Sequence, residues 1–334
     1  MQQFDLAVLI GGFEPFDAGR RAAVQAALAA ARRAVVLIGS HGAARSLRHP
    51  WTSEERGTMV RAALGEAENA RLDVLPVRDR LYNEHQWLRN VQAALGPVQP
   101  AAARVVQIAL PGQRAPLQPD WSVLQAKPPE APDFWGVRRG VFGGAADIAA
   151  LEARLPPSTV VFLHRFRASA DFEALADELR YIEHFRDSWL HAPYSPVLVT
   201  TDAVVVCAGH LLLVHRGHAP GKGLWALPGG FLDQDETLLE GCLRELREET
   251  GLGLAQAALE AALCGNHVFD APYRSLRGRT VTHAYAFALP DGALPSVTGG
   301  DDAVDARWVP LTRFHAMEAQ MFEDHFHIAR FFLG

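Results

Sequence analysis

GGFLDQDETLLEGCLRELREETGL, residues 229–252, decides how the second half of this chain is read. From Gly230 it follows G-x5-E-x7-R-E-L-x-E-E-x-G-L, with Glu236, Arg244, Glu245, Glu248, Glu249, Gly251 and Leu252 in register. On a helix Glu245, Glu248 and Glu249 stand at i, i+3 and i+4 and share one face. Three crowded carboxylates repel one another, so the pattern calls for a cation. Oxygen ligands suit Mg²⁺, with Mn²⁺ as the alternative, and both ions also bridge phosphate oxygens. Leu238, Leu239, Cys242, Leu243 and Leu246 supply the apolar stripe that turns such a helix toward a core. Gly251 is a natural helix stop. Gly229 and Gly230 allow a sharp loop and a close approach of backbone to a ligand. The alternative is a solvated acidic face with charge partners along the helix, but that would not require so many positions to fit one template.

Strand-like segments flank this helix. VLVTTDAVVVCAGHLLLVHRG (197–217) reads as two strands joined by Ala-Gly-His, and RTVTHAYAFAL (279–289) alternates as a third. A closing helix is expected near Phe314 to Phe332. Upstream, the first half alternates strand and helix. DLAVLI, AVVLIGS (34–40), RLDVLPV and ARVVQIAL are strands, and STVVFLHRF (158–166) is read as a fifth. Helices are expected over Ala18 to Arg32, from an N-cap at Thr52 (with Glu55 three residues on) to Leu64, over Glu84 to Leu95, and over 170–185. The Pro-rich residues 111–140 read as a long loop. The βαβαβα order implies a parallel sheet with helices on both faces and a ligand edge at the carboxyl ends of its strands. RDSWLHAPYSP (186–196) reads as a linker, which gives domains at 1–187 and 188–334.

The 334 residues exceed one ordinary core. Hydrophobic residues make up 49% and charged residues 21%, the composition of a globular chain. The net charge of -6, with no long basic run, argues against nucleic acid as a main partner. Cys207, Cys242 and Cys264 form no CxxC pair, which fits a reducing cytoplasm rather than a disulfide framework. No apolar run has membrane-span length, so no membrane partner is expected.

The segment at 229–252 resembles a complete Nudix box. Together with APYSPVLVTTDAVVV, GKGLWALPGGFLDQDE, YRSLRGRTVTHAYAF and MFEDHFHIARFFL, it is similar to the bifunctional nicotinamide mononucleotide (NMN) adenylyltransferase/Nudix hydrolases. The resemblance implies an α/β chain: a Rossmann-like nucleotidyltransferase-type parallel-sheet domain, then a Nudix α/β/α sandwich. It implies hydrolysis of a nucleoside diphosphate linked to another group, ADP-ribose giving AMP and ribose 5-phosphate. Glu245, Glu248 and Glu249 would be metal ligands, Arg244 would pair with a box glutamate and hold the loop, and Glu236 would assist. Arg277 and Arg279 are candidates for phosphate or ribose contacts, or ordinary surface charges. Trp225 is read as a ring for a base or as core packing. Asp301 and Asp302 are read as a loop near the phosphates or as an exposed acidic turn.

The same family's first half is matched by WTSEER (51–56) and VRDRLYNEHQWLRNVQ (77–92). The family signature G-R-F-x-P-x-H-x-G-H, whose histidines and helix N-terminus hold ATP phosphates, aligns with GGFEPFDAGR (11–20). Gly11 and Gly19 are kept, but Gly12 replaces Arg, Asp17 replaces the first His and Arg20 the second. The family's S-x-T-x-x-R element falls at DFWGVR, where only Arg138 remains, and a Gly-His element is replaced by PGQRAPLQPDWS. These changes predict a degenerate nucleotide site. The half is then a folded partner domain, regulatory or forming a homodimer. Two alternatives remain: a bifunctional enzyme that also makes NAD from NMN and ATP, and a nucleotide-binding regulator without catalysis.

Overall fold

Buried apolar strands set the first unit's architecture. Residues 3–110, 117–126, 133–143, 149 and 151–334 are described by the computed structural model. They divide into two compact units, Met1–Leu179 and Arg180–Gly334. In the first, β1 (Phe4–Gly11), α1 (Ala18–Ala30), β2 (Ala31–Ile38), α2 (Ser53–Ala62), α3 (Glu66–Asn69), β3 (Leu72–Pro76), α4 (Glu84–Leu95), β4 (Val105–Ala109) and β5 (Ser122–Gln125) follow in order. All pairings are parallel, in the order β3-β2-β1-β4-β5. Leu6, Val8, Ile10, Val35 and Leu37 pack with Val91 and Leu95 of α4 on one face. The intervening Ala7, Leu9 and Val36 are equally buried, as expected of a sheet covered on both faces. The strand order reverses between β1 and β4. The turn after β1 therefore sits at the switch point, where such sheets bind ligands.

Helices α5 (Phe134–Phe142), α6 (Pro157–Phe166) and α7 (Ala170–Asp187) follow. Two expectations change here. Residues 158–166 are helical, not a strand. Pro157 takes the first helical turn, and Thr159, Leu163 and Phe166 are buried at helical spacing. The β-branched run Thr159-Val160-Val161 mimics a strand in composition only. The fifth strand is instead β5, inside the stretch read as a loop, and α5 occupies the end of that stretch with Asp133 as its N-cap. Residues 111–116 and 127–132 lie outside the described residues. The Thr52/Glu55 capping box is present, and α4 has the expected bounds.

In the second unit β6 (Val197–Cys207) and β7 (His210–Arg216) form a hairpin through Ala208 and Gly209, both at positive φ. Next come β8 (Trp225–Ala226), β9 (Gly229–Phe231), α8 (Leu238–Thr250), α9 (Gln256–Ala262), β10 (Leu263–Phe269), β11 (Arg279–Ala288), β12 (Ala303–Pro310), α10 (Leu311–Phe314) and α11 (His325–Leu333). The mixed sheet runs β10-β11-β6-β7-β12, with β8 paired to β7 and β9 to β6. Cys242, Leu243 and Leu246 of α8 and Leu259 of α9 pack on Ala203, Val205, Leu212, Tyr285 and Phe287. The expected single helix from Phe314 to Phe332 is broken. A 3₁₀ turn at Glu318–Gln320 and a bridge between Met321 and Trp225 separate α10 from α11. Among the described residues no helix is long and apolar enough to cross a membrane.

The helical assignment of 157–166 makes neighbouring side chains unequal. Val161 is 51% exposed and Leu163 1%. Leu163→Asp is expected to lower the stability of the first unit by roughly 3 kcal/mol or more, and Val161→Asp by less than about 0.5 kcal/mol, measured by denaturant unfolding. A strand would put both residues on one face and make the two variants alike.

Candidate active site

The carboxylate helix begins at Thr237, whose side chain and Glu240 form a reciprocal capping box, and ends at Gly251 with φ 60°. Its inward face buries Cys242, Leu243 and Leu246 together with Glu245 and Glu249. Glu248 is half exposed. Between the acids lies Arg244. Its Nε donates to Glu236 at 3.0 Å and its Nη2 to Glu236 at 2.6 Å and to the Phe231 carbonyl at 3.1 Å. Its Nη1 donates to Glu245 at 2.8 Å and Glu248 at 3.0 Å. Glu236 in turn accepts from the Asp233 N–H at 2.8 Å, which closes the loop before the helix. One guanidinium thus ties β9, the loop and two of the three acids together.

Glu249 points the other way and accepts from the Gly229 N–H at 2.9 Å. Burial, reinforced by the charges of Glu245 and Asp202, pushes its carboxyl up to about 8. Burial also raises Glu245, although Arg244 opposes it. The two glycines are needed for this approach. A Cβ on Gly229 would stand 2.1 Å from the Thr201 carbonyl, and one on Gly230 would stand 2.5 Å from a Glu245 oxygen. Among the described residues no three acidic, His or Cys side chains are already gathered for a metal ion. Glu245 and Glu248 are turned to Arg244 instead. The donor set nevertheless fits a hard divalent cation: three carboxylates on one helix, two of them buried, with Glu249 held by a single main-chain N–H.

The other expected residues scatter. Arg277 Cζ lies 5.0 Å from the Phe231 ring, beside the box loop. Arg279 instead donates to the Asp270 carbonyl and faces that residue's carboxylate at 3.9 Å. Trp225 lies against His215, with ring centroids 4.9 Å apart, and under Arg307 at 5.9 Å. The Asp302 carbonyl accepts from Gly217 at 3.0 Å, while Asp301 takes a positive φ of 49°. A buried network that sequence reasoning missed lies behind the box. Thr282 donates to Asp202, the Leu227 N–H donates to His325 Nδ1, and Arg274 grips Asp324 through two bonds of 3.0 and 2.8 Å. The run of acids and histidines at 323–327 is the one sequence signal that points to it.

At the switch point of the first unit the carboxylates face inward. Asp17 is fully buried and caps α1, accepting from the Arg20 N–H at 2.7 Å and from the Arg20 guanidinium. Gly11 and Gly12 give their carbonyls to the Gly39 N–H and to Arg56, and Gly19 is buried within α1. Arg138, 2% exposed, donates to the carbonyls of Leu47, Glu14 and Arg48 and to the Glu14 carboxylate. Glu14 also meets Arg56 and His49, each at 3.1 Å. Burial pulls Arg138 down to about 10, which leaves it charged at neutral pH. Burial works against ionisation of Glu14, but His49, Arg56 and Arg138 together hold its carboxyl below the usual range.

Fold and site define a two-unit nucleotide enzyme: a nucleotidyltransferase-type parallel sheet, then a mixed sheet bearing an acidic helix suited to divalent metal and pyrophosphate. The NUDIX domain family matches residues 197–332. The ADP-ribose pyrophosphatase of Methanocaldococcus jannaschii is 33% identical over 126 residues, 38% of this chain and 69% of that protein. The chain belongs to the Nudix family. A nicotinamide/nicotinic acid mononucleotide adenylyltransferase of Acinetobacter baylyi is 25% identical over 185 residues, 54% of this chain and 96% of that one. The crystal structure of a bifunctional NMN adenylyltransferase/ADP ribose pyrophosphatase from Francisella tularensis, complexed with AMP and a Mn ion, superposes with a TM-score of 0.90. It is 28% identical and covers 99% of both chains, so both units have their counterparts there.

The lowered carboxyl of Glu14 sets a pH dependence. A depressed acid stabilises the fold above its ordinary value of 4.5, and that contribution disappears as pH falls through the lower folded value. Glu14→Gln is therefore expected to destabilise the first unit by about 3 kcal/mol at pH 7. The gap to the parent protein should narrow as urea unfolding is repeated at pH values below 4.5.

Proposed function

We propose that the second unit hydrolyses ADP-ribose to AMP and ribose 5-phosphate, and that the first unit no longer transfers an adenylyl group. The first half of the reading is carried by the box geometry, in which Arg244 aligns Glu236, Glu245 and Glu248 while Glu249 stays buried against Gly229. The pyrophosphatase of M. jannaschii and the Francisella enzyme, both named for ADP-ribose, favour that substrate.

Glu245, Glu248 and Glu249 would hold Mg²⁺, or Mn²⁺, which when bound neutralises pyrophosphate charge and lowers the pKa of a coordinated water. The rest is the work of the chain. Arg244 fixes the spacing of two ligands and, through the Phe231 carbonyl, the distance from helix to loop. The glycine pair brings the loop backbone onto the carboxylates. A raised Glu249 carboxyl means that a bound cation has to displace a proton there near neutral pH.

Asp17 and Glu14 support the second half of the reading. One accepts the Arg20 N–H at the start of α1 and pairs with the Arg20 guanidinium, and the other engages Arg56, Arg138 and His49. An anion approaching this turn finds that N–H and these cations already engaged by carboxylates of the chain. We also place the domain boundary at 187/188, after α7, which makes 1–187 and 188–334 the units of function.

Glu248→Gln is expected to cut Mg²⁺-dependent AMP release from ADP-ribose on the order of 10²-fold or more. Its unfolding midpoint should not change, because the side chain is 48% exposed. An unaltered rate would remove Glu248 from the metal set. Purified protein given saturating NMN, ATP and Mg²⁺ is expected to form no NAD detectable by mass spectrometry. NAD formation would establish the bifunctional reading in its place.

A further inference from the structure

Two guanidinium groups of the second unit share one phenyl ring. Arg216, the last residue of β7, donates from Nε to the Pro220 carbonyl at 2.9 Å and sets its Cζ 4.3 Å from the Phe322 centroid. Arg277 reaches the same ring at 6.0 Å and the Phe231 ring at 5.0 Å. Phe322 cannot swing aside. It is 4% exposed and wedged on Gly221, where a Cβ would meet the ring at 2.2 Å. Among the described residues no carboxylate lies within ion-pair distance of Arg216. Its charge is felt by Arg277, Glu323, Glu249 and Asp302, which places it within electrostatic reach of the box.

Beside the pair stands Glu323. It faces Arg277 at 3.9 Å, too far for a hydrogen bond. Its Oε2 is buried without a hydrogen-bond partner, and its backbone sits at φ 42°, in the left-handed region. The buried Arg274–Asp324 pair holds the neighbouring segments together and keeps this arrangement in place. Two cations forced together and a carboxylate with an unused lone pair are each unfavourable alone, and both are relieved by one ligand that brings anionic oxygens and a hydroxyl.

We propose that Arg216 and Arg277 clamp the diphosphate and that Glu323 accepts a hydroxyl of the sugar on its far phosphate. The corner then selects a nucleoside diphosphate that ends in a polyol. A substrate ending in a bare phosphate brings extra negative charge to Glu323 and no hydroxyl to donate. The inference rests on the hydrolase reading above and names the residues that set its substrate. Arg277 is a candidate from sequence alone, whereas Arg216, Phe322 and Glu323 are brought to it by the fold.

Calorimetric titration of the full chain with ADP-ribose and with ADP, in EDTA so that nothing turns over, tests it. The parent protein is expected to prefer ADP-ribose. Glu323→Gln should reduce that preference about tenfold or more, the loss of roughly one charge-assisted hydrogen bond. Arg277→Ala should weaken both ligands by about tenfold without changing the preference, and Arg216→Lys, which keeps charge but loses the planar fork, should do likewise. An unchanged preference in Glu323→Gln overturns the selector, and unchanged affinities in the arginine variants overturn the clamp. A parent protein that binds neither ligand overturns both. Thermal melts of each variant separate a folding defect, which would not alter the ratio of the two affinities. AMP release from ADP-ribose with Mg²⁺ is scored separately, so a failed hydrolase reading is distinguishable from a failed clamp.

Discussion

A helix that carries Glu245, Glu248 and Glu249 within one turn needs a cation, and in this protein Arg244 is the cation built into the chain. Its reach goes beyond charge balance. By donating also to Glu236 and to the Phe231 carbonyl, it fixes the distance between α8 and β9. At that distance a Cβ on Gly230 would displace the Glu245 carboxylate, while on the other side of β9 a Cβ on Gly229 would collide with the Thr201 carbonyl of β6. The apolar face of α8 then has one place to pack, on Ala203, Val205 and Leu212. Removing this guanidinium would leave partly buried carboxylates unpaired, a situation that costs far more than an exposed pair contributes. The register of sheet, loop and helix depends on it.

The first unit solves the opposite problem. Arg56 and Arg138 are almost wholly buried at the switch point, a location where cations ordinarily wait for a ligand. Here Glu14 is the anion, and the same arginines staple the carbonyls of Gly12, Gly39, Leu47 and Arg48. Asp17 does for the start of α1 what a phosphate would otherwise do. Trp51 of the WTSEER segment stacks on Phe142 and stands edge-on to Phe166, which ties the start of α2 to α5 and α6.

What could be read in the sequence was local. The acidic spacing of α8, the Thr52 capping box and the bounds of α4 are written in residues a turn apart. Misreadings came where tertiary packing overrode composition. Thr159, Val160 and Val161 favour a strand, yet Pro157 starts a helix and burial at Leu163 and Phe166 completes it. β5 is mostly exposed and carries only four residues, so its alternation is too short to register, and its identity comes from pairing with β4. The closing segment does not form one helix because a non-local bridge from Met321 to Trp225 interrupts it. In the site, the box residues and Arg277 are legible, whereas Arg216 and Phe322 come from distant segments and meet Arg277 only in the fold.

The two units share a chemistry and differ in who supplies the counter-charge. In the first, every named cation at the turn already has a carboxylate of the chain against it. In the second, Arg216 lacks a carboxylate within ion-pair distance among the described residues, Glu323 keeps a buried oxygen without a hydrogen bond, and burial keeps Glu249 reluctant to ionise. A site completed by its own side chains has little to gain from a nucleotide, because binding must first break the internal pairs. A site left short of partners on both signs gains from a ligand that carries anionic oxygens, hydroxyls and a divalent cation at once. The unequal neutralisation of the two turns is therefore the physical support for the proposal that places hydrolysis in the second unit.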